Sequence, residues 1–206
     1  MPSLYLASKS PRRLQILQSM GISDITVLPV GDTRLTAYVG DEVQHAGEAA
    51  CDYVVRTARE KALATLERVR VEGRPAAPVL AADTVVILDG EILGKPADCT
   101  EATHFMQRLS GQEHEVRTAV VAGTSTENLL VAVSISTVHF TTMTSEQIAA
   151  YTATEEPYDK AGGYGIQGRA GLYIDRICGS YSGIMGLPVF ETARLLENFG
   201  FDFKSL

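Results

Sequence analysis

No run in this 206-residue chain reaches the roughly 18 apolar residues that a membrane-spanning helix needs. The longest candidate, residues 129–140, is broken by Ser134, Ser136, Thr137 and His139. No membrane association is expected. Cysteine is sparse: Cys51, Cys99 and Cys178 form an odd set without a C-x-x-C. They read as reduced thiols in a reducing compartment, each a small buried hydrophobe, which excludes a disulfide scaffold. Basic charge is also short. Eighteen Lys and Arg stand against 25 Asp and Glu, for a net charge of −7. Phosphate contacts dominate nucleic-acid affinity, so a general DNA or RNA binder is excluded, although a few local cations suffice for a small phosphorylated ligand. The N-terminus has no basic flank before an apolar signal core, and a cytoplasmic location is expected. The four histidines (His45, His104, His114 and His139) lack metal-binding spacing, and Ser182 lies outside any G-x-S-x-G elbow.

What is present is ordinary globular composition, 45% hydrophobic and 21% charged. The length predicts one domain over residues 1–206, built of two closely joined lobes. Leu4 to Ala7 predicts a buried strand, followed by a helix over 12–20 with Ser10 as N-cap and Pro11 at its first position. A second strand is expected at 25–28, a long loop at 29–47 and a helix over 48–70. The apolar face of that helix carries Ala50, Val54, Ala58, Ala62, Leu66 and Val69. Strands follow at 79–82 and 85–88, then the hairpin signal Asp89-Gly90 and a return strand at 91–93. Further on come a helix at 100–109, strands at 116–121 and 130–140, and the capping box Thr144-x-x-Gln147 opening a short helix. A glycine-rich stretch at 157–171, a strand at 172–177 and a last helix over 188–200 complete the order. Early alternation and a strand-rich middle predict an α/β fold with a mixed, partly antiparallel twisted sheet and flanking helices.

Four stretches carry chemistry. Ser8-Lys9-Ser10-Pro11-Arg12-Arg13 sets three cations and two hydroxyls at a strand-to-helix turn. A helix start disfavours cations and attracts anions, so an anionic ligand gives this placement a reason. Asp83-Thr84 ends a buried strand, where a carboxylate can hold Mg²⁺ or accept a proton from water. Lys61 lies on the preceding helix, and Lys95 is aimed by its neighbours Gly94 and Pro96. Gly163 to Gly168 spells G-x-G-x-x-G, but neither flank has the strand and helix of a dinucleotide fingerprint. A tightly turned loop against a ligand fits better, and a dinucleotide-dependent oxidoreductase rests on that spacing alone.

Taken in order, Leu6-Ala7-Ser8-Lys9-Ser10-Pro11-Arg12-Arg13, Arg59-Glu60-Lys61-Ala62, Ala82-Asp83-Thr84-Val85-Val86, Gly94-Lys95-Pro96 and the stretch from Asp159 to Gly168 resemble the Maf family of nucleotide pyrophosphatases. The resemblance implies a Maf/ITPase-like protein of two lobes around a central cleft, with a possible homodimer. It implies cleavage of a nucleoside triphosphate to the monophosphate and pyrophosphate with a divalent cation, Mg²⁺ or Mn²⁺. Arg12, Thr84 and Gln167 match the members acting on dTTP and UTP, with modified pyrimidine nucleotides as further candidates. Thymine and uracil present an acceptor–donor–acceptor edge, which a primary amide such as Gln167 complements. The resemblance makes Asp83, Lys61 and Lys95 catalytic, as base, ligand or both in the case of Asp83. It makes Ser8, Arg12, Arg13, Thr84 and Gln167 substrate-binding. For a second metal-linked acid the best match is Asp32, with Asp41, Glu42 and Glu48 as competitors in a loop longer than the family pattern. The alternative is a nucleotide-binding regulator of cell division and septum formation without important turnover.

Overall fold

The computed structural model describes residues 2–29 and 44–203. Strand β1 (Leu4–Leu6) leads into helix α1 (Pro11–Ser19), which has proline at its first turn, where a missing N–H costs nothing. Ser10 occupies the N-cap position as expected, but its hydroxyl caps nothing. Instead the Ser10 N–H donates to Ser8 Oγ at 3.1 Å, so Ser8 shapes the turn.

Strand β2 (Ile25–Val27), helix α2 (Ala50–Val71) and strand β3 (Val79–Leu88) follow. Both β2 and β3 pair with β1 in parallel, with Leu4 opposite Ile25 and Leu6 opposite Leu80. The chain therefore steps from β1 to one neighbour and returns past it to the other. Right-handed crossovers then set α1 and α2 on opposite faces. The reversal point lies beyond the C-terminal end of β1, with β3 running on past it, and strand-order reversals are where open α/β sheets bind ligands. Helix α2 buries Val54, Ala58, Ala62, Leu66 and Val69, which is the predicted face without Ala50.

The Asp89-Gly90 turn takes positive φ at both residues (53° and 81°) and returns β4 (Glu91–Leu93) antiparallel to β3. Then come α3 (Cys99–Leu109), β5 (Glu113–Gly123), β6 (Leu129–Phe140), α4 (Ser145–Thr152), β7 (Ile174–Cys178), α5 (Tyr181–Met185) and α6 (Val189–Glu197). The sheet order is β2-β1-β3-β5-β6-β7, with β4 on β3 and β7 antiparallel to β6. This is the mixed, partly antiparallel sheet with flanking helices that the sequence predicts. The capping box of α4 is complete. Several features differ. The strands expected at 79–82 and 85–88 are one continuous strand, β3, because the backbone stays extended through Asp83 and Thr84 between the two apolar runs, so Asp83 does not end a strand. Leu172 and Tyr173 belong to a 3₁₀ turn (Arg169–Tyr173), not to the strand, and α5 has too little periodicity to be read. All three cysteines are free, as expected, but exposed, not buried. Cys51 and Cys99 are on helices and Cys178 ends β7, with the Cys99 thiol 3.9 Å from Thr152 O. No described helix is long and apolar enough to cross a membrane.

The chain divides into two compact units, 1–83 with 118–133 and 186–206, and 84–117 with 134–185. The second has its own core, in which Phe140, Met106, Leu109 and Val138 are fully buried. His114 is also buried there, its ring 5.4 Å from Tyr164 and 5.7 Å from Phe140, with Nε2 2.6 Å from the Tyr164 hydroxyl. Burial lowers its pKa to about 4. Unfolded histidine protonates below about 6.5, so between those values the unfolded state binds the extra proton and the fold loses stability as pH falls. The stability difference between wild type and His114→Asn, read by urea unfolding, is expected to narrow by about 2–3 kcal/mol from pH 7 to pH 4.5. A constant difference would place the charge elsewhere.

Candidate active site

The first unit builds a cationic turn and a paired carboxylate at the sheet's reversal point. Pairing between β1 and β3 ends where Ala7 N–H donates to Leu80 O at 2.8 Å. Ser8 leaves β1 at that level, and Asp83 stands three residues past Leu80 on β3. Extending the register from Leu6 opposite Leu80 brings Ser8 to the level of Ala82, one residue before Asp83 on the neighbouring strand. Both are buried, at 8% exposure each.

Arg13 secures the turn. Its Nε donates to Gly186 O at 2.8 Å and an Nη to Ser8 Oγ at 3.2 Å. These bonds fix the guanidinium beside the first turn of α1, which contains no acidic residue. Arg12 is half-buried next to it. A helix start with two arginines and no carboxylate is an anion site in charge and in donor supply.

Asp83 meets Lys61, whose Nζ donates to Oδ1 at 2.7 Å, with both side chains about seven-eighths covered (13% and 12% exposed). The lysine is placed by α2. Thr57 and Thr65, four residues to either side, are buried on the same helical row. Thr57 Oγ1 donates to Tyr53 O, and Thr65 Oγ1 to Leu28 O. A lysine in such a row is held by its neighbours and not by solvent. The pair gives a carboxylate with one oxygen engaged and the other available to a water or a cation, next to an ammonium group.

Two residues before α2, Glu48 is committed to structure. It takes Arg56 through two bonds, at 2.7 and 2.9 Å, and accepts from the His45 N–H. The Arg56 hydrogen bonds hold its carboxyl down at about 2. Arg56 is shared with Glu60 one turn on. Asp32, Asp41 and Glu42 lie outside the described residues. Among the described residues no group of three or more His, Cys, Asp or Glu could hold a metal ion. Among the described residues Asp83 would hold a cation as a single carboxylate supplemented by phosphate oxygens, which is how Mg²⁺ is commonly held.

The second unit carries the other predicted residues. Thr84 opens it, directly after Asp83 on β3, and is half-buried. Lys95 is exposed in its Gly-Pro setting. That loop is tied to the glycine-rich stretch, since Gly162 N–H donates to Gly94 O at 2.9 Å and Gly163 lies against Pro96. Gly162 must be glycine: its φ is +67°, and a Cβ would overlap the Val86 side chain. Tyr164 is buried, which locks the middle of the motif into the core. Gln167 is exposed, and its Nε2 would lie 3.4 Å from a Cβ on Gly165. The motif runs between 3₁₀ turns (Ala161–Gly163 and Arg169–Tyr173), with no strand before it and no α-helix after it. The dinucleotide reading thus lacks its structural context.

The structure brings Ser8, Arg13, Lys61 and Asp83 together in one unit, and the loops of Lys95 and Gln167 together in the other. It adds Gly186, Thr57 and Thr65, which the sequence reading passed over. The threonines had a signal, their four-residue spacing from Lys61, whereas Gly186 acts through its backbone carbonyl and had none.

Residues 3–199 match the family model described as Maf-like protein. A Bordetella avium protein named dTTP/UTP pyrophosphatase is 52% identical over 200 residues, covering 97% of this chain and 96% of the relative. A Ralstonia nicotianae protein of the same name is 48% identical over 195 residues, covering 95% and 93%. Among solved structures, a nucleoside-triphosphatase (dITP/XTP pyrophosphatase) from Mycobacterium abscessus covers 96% of this chain and 94% of its own, at 14% identity and a TM-score of 0.43.

Proposed function

The chain belongs to the Maf-like protein family, and from that premise we propose that it hydrolyses dTTP and UTP to the monophosphate and pyrophosphate. What supports this reading is the Lys61–Asp83 ion pair on β3, the strand paired with β1, whose end leads into the Ser8–Arg13 turn. A proton acceptor on one strand and an anion site at the end of the strand paired with it are what water attack on a phosphorus would use.

In the proposed reaction the oxygen of water forms a bond to the α-phosphorus. The bond from that phosphorus to the α–β bridging oxygen breaks, and the water proton goes to Asp83. Arg13, the Ser8 hydroxyl and the first N–H groups of α1 bind phosphate oxygens. Lys61 and Lys95 offset the charge that builds on the departing pyrophosphate. A divalent cation, Mg²⁺ or Mn²⁺, bound at Asp83 would neutralise phosphate charge and acidify the attacking water. Asp32 is the proposed second acid for it. Arg12, Thr84 and Gln167 are the residues assigned to choosing the nucleotide. The amide of Gln167 can accept from the N–H and donate to a carbonyl of a thymine or uracil edge. An amide cannot be satisfied in the same way by every base, and unpaired polar groups are what make such a site selective.

The test is pyrophosphate release from a panel of natural and modified nucleoside triphosphates with Mg²⁺ or Mn²⁺. UTP and dTTP are expected to turn over at least about ten-fold better in kcat/KM than purine triphosphates, the span a few well-placed contacts supply. Tight binding of UTP without steady pyrophosphate release would replace the enzyme by a nucleotide-binding regulator.

A further inference from the structure

The carboxylate of Glu156 belongs to no catalytic group, yet it reaches thirteen residues along the chain to the turn that follows Gln167. Its Oε2 accepts from the Arg169 N–H at 2.9 Å, and its Oε1 lies 3.5 Å from the Ala170 N–H. The Tyr151 hydroxyl stands 3.3 Å from the same Oε1 and 3.1 Å from Gly163 O. The backbone of Glu156 is held as well, since Lys160 Nζ donates to its carbonyl at 2.7 Å. One acidic side chain thus joins the start of the glycine-rich stretch to its end. The clamp also explains Gly168. Its φ is −101°, which any residue adopts, but a Cβ there would overlap the Glu156 carboxylate. A side chain at this position would push the carboxylate off its two N–H groups, so the clamp needs glycine here for space and not for backbone freedom.

We propose that Glu156 is a positioning residue for base selection: by holding the N–H groups of Arg169 and Ala170 it fixes the turn that presents the Gln167 amide. This rests on the reading of Gln167 as the residue that recognises the base. Gln167 is exposed and stands two residues before the clamped N–H. Without the clamp the turn can shift by an ångström or more, and an amide so displaced loses its match to the base edge while the phosphate groups stay in place. The clamp therefore acts on KM and on discrimination, not on the chemical step.

The experiment compares wild type with Gln167→Ala, Glu156→Ala, Glu156→Gln, Gly168→Ala and the Glu156→Ala/Gln167→Ala double variant. Steady-state kinetics are measured with UTP and with GTP, together with hydrogen exchange of the Arg169 and Ala170 amides. Glu156→Ala and Gly168→Ala are expected to raise KM for UTP about 10- to 100-fold, cut the UTP-over-GTP preference as far as Gln167→Ala does, and leave kcat within about three-fold. Their two amides are expected to exchange faster. The double variant is expected to be no worse than the poorer single, because both act on one contact. Glu156→Gln, which keeps an acceptor oxygen, is expected to recover part of the preference. Gly168→Ala and Glu156→Gln decide the matter if Glu156→Ala does not fold. Loss of preference in Gln167→Ala with full preference in Glu156→Ala and Gly168→Ala overturns the clamp and leaves the Gln167 reading intact. Full preference in Gln167→Ala overturns that reading and the inference with it, whatever the amides show.

Discussion

Asp83→Asn is expected to lower kcat by about 10²–10⁴-fold, the usual loss when a general base is removed. The substitution keeps the shape and an acceptor oxygen for Lys61, so the 2.7 Å contact survives as a hydrogen bond without its charge. What disappears is the capacity to take a proton from water and the negative charge that would help hold a cation. The KM for UTP is expected to stay within about three-fold, because the phosphate-binding groups, Ser8, Arg13 and the start of α1, are untouched. The fold is expected to persist, since asparagine keeps the shape and the Lys61 contact at this buried mid-strand position of β3. Pyrophosphate release under saturating UTP measures the effect, with circular dichroism as the control. Full turnover by a folded Asp83→Asn enzyme would remove the proposed role and leave the carboxylate as a structural ion pair only.

The fold was largely legible because its signals are local. Pro11 at a helix start, the Asp89-Gly90 turn and the Thr144/Gln147 capping box each act within a few residues, and each appears where the pattern puts it. The face of α2 was legible for the same reason, through four-residue spacing. Pairing order was not. Nothing in the strands themselves says that β3 returns to β1 and not to β2, yet that return sets β3, which carries Asp83, next to the strand that leads into Ser8. Residue chemistry was legible where Asp83 interrupts an apolar run, although β3 runs through that residue and does not end there. It was less legible where partners are distant: Arg13 meets a backbone oxygen 173 residues away. Glu156 illustrates the remaining limit. As one of two adjacent glutamates before a proline it looks like solvated charge, and only the return of the chain at Arg169 gives it a partner. The cysteines failed for a physical reason too. A thiol's preference for the interior is weak evidence at three positions whose neighbours face solvent.

Lys61→Met is expected to lower kcat/KM by about 10²–10³-fold, the loss that follows removal of one well-placed electrostatic group. Methionine matches the length and apolar stem of lysine, so the Thr57–Thr65 row on α2 stays packed. The ammonium group alone is lost. That strands the Asp83 carboxylate, 12% exposed, without its cation. Breaking a fully buried pair costs about 3–5 kcal/mol, and this pair keeps some water contact, so a stability loss of about 1–3 kcal/mol is expected in urea unfolding. The double variant Lys61→Met/Asp83→Asn separates the two consequences. No unpaired charge remains in it, so stability is expected to recover toward wild type by about 1–2 kcal/mol relative to the sum of the single losses. Activity has no such route back, because both the acceptor and the cation are gone, and turnover is expected to stay at or below that of Asp83→Asn. Recovery of stability without recovery of turnover would show that the pair serves the reaction and that the fold merely tolerates it. Recovery of both, or a Lys61→Met enzyme with wild-type kcat/KM, would show instead that the contact is structural and that the triphosphate is neutralised elsewhere.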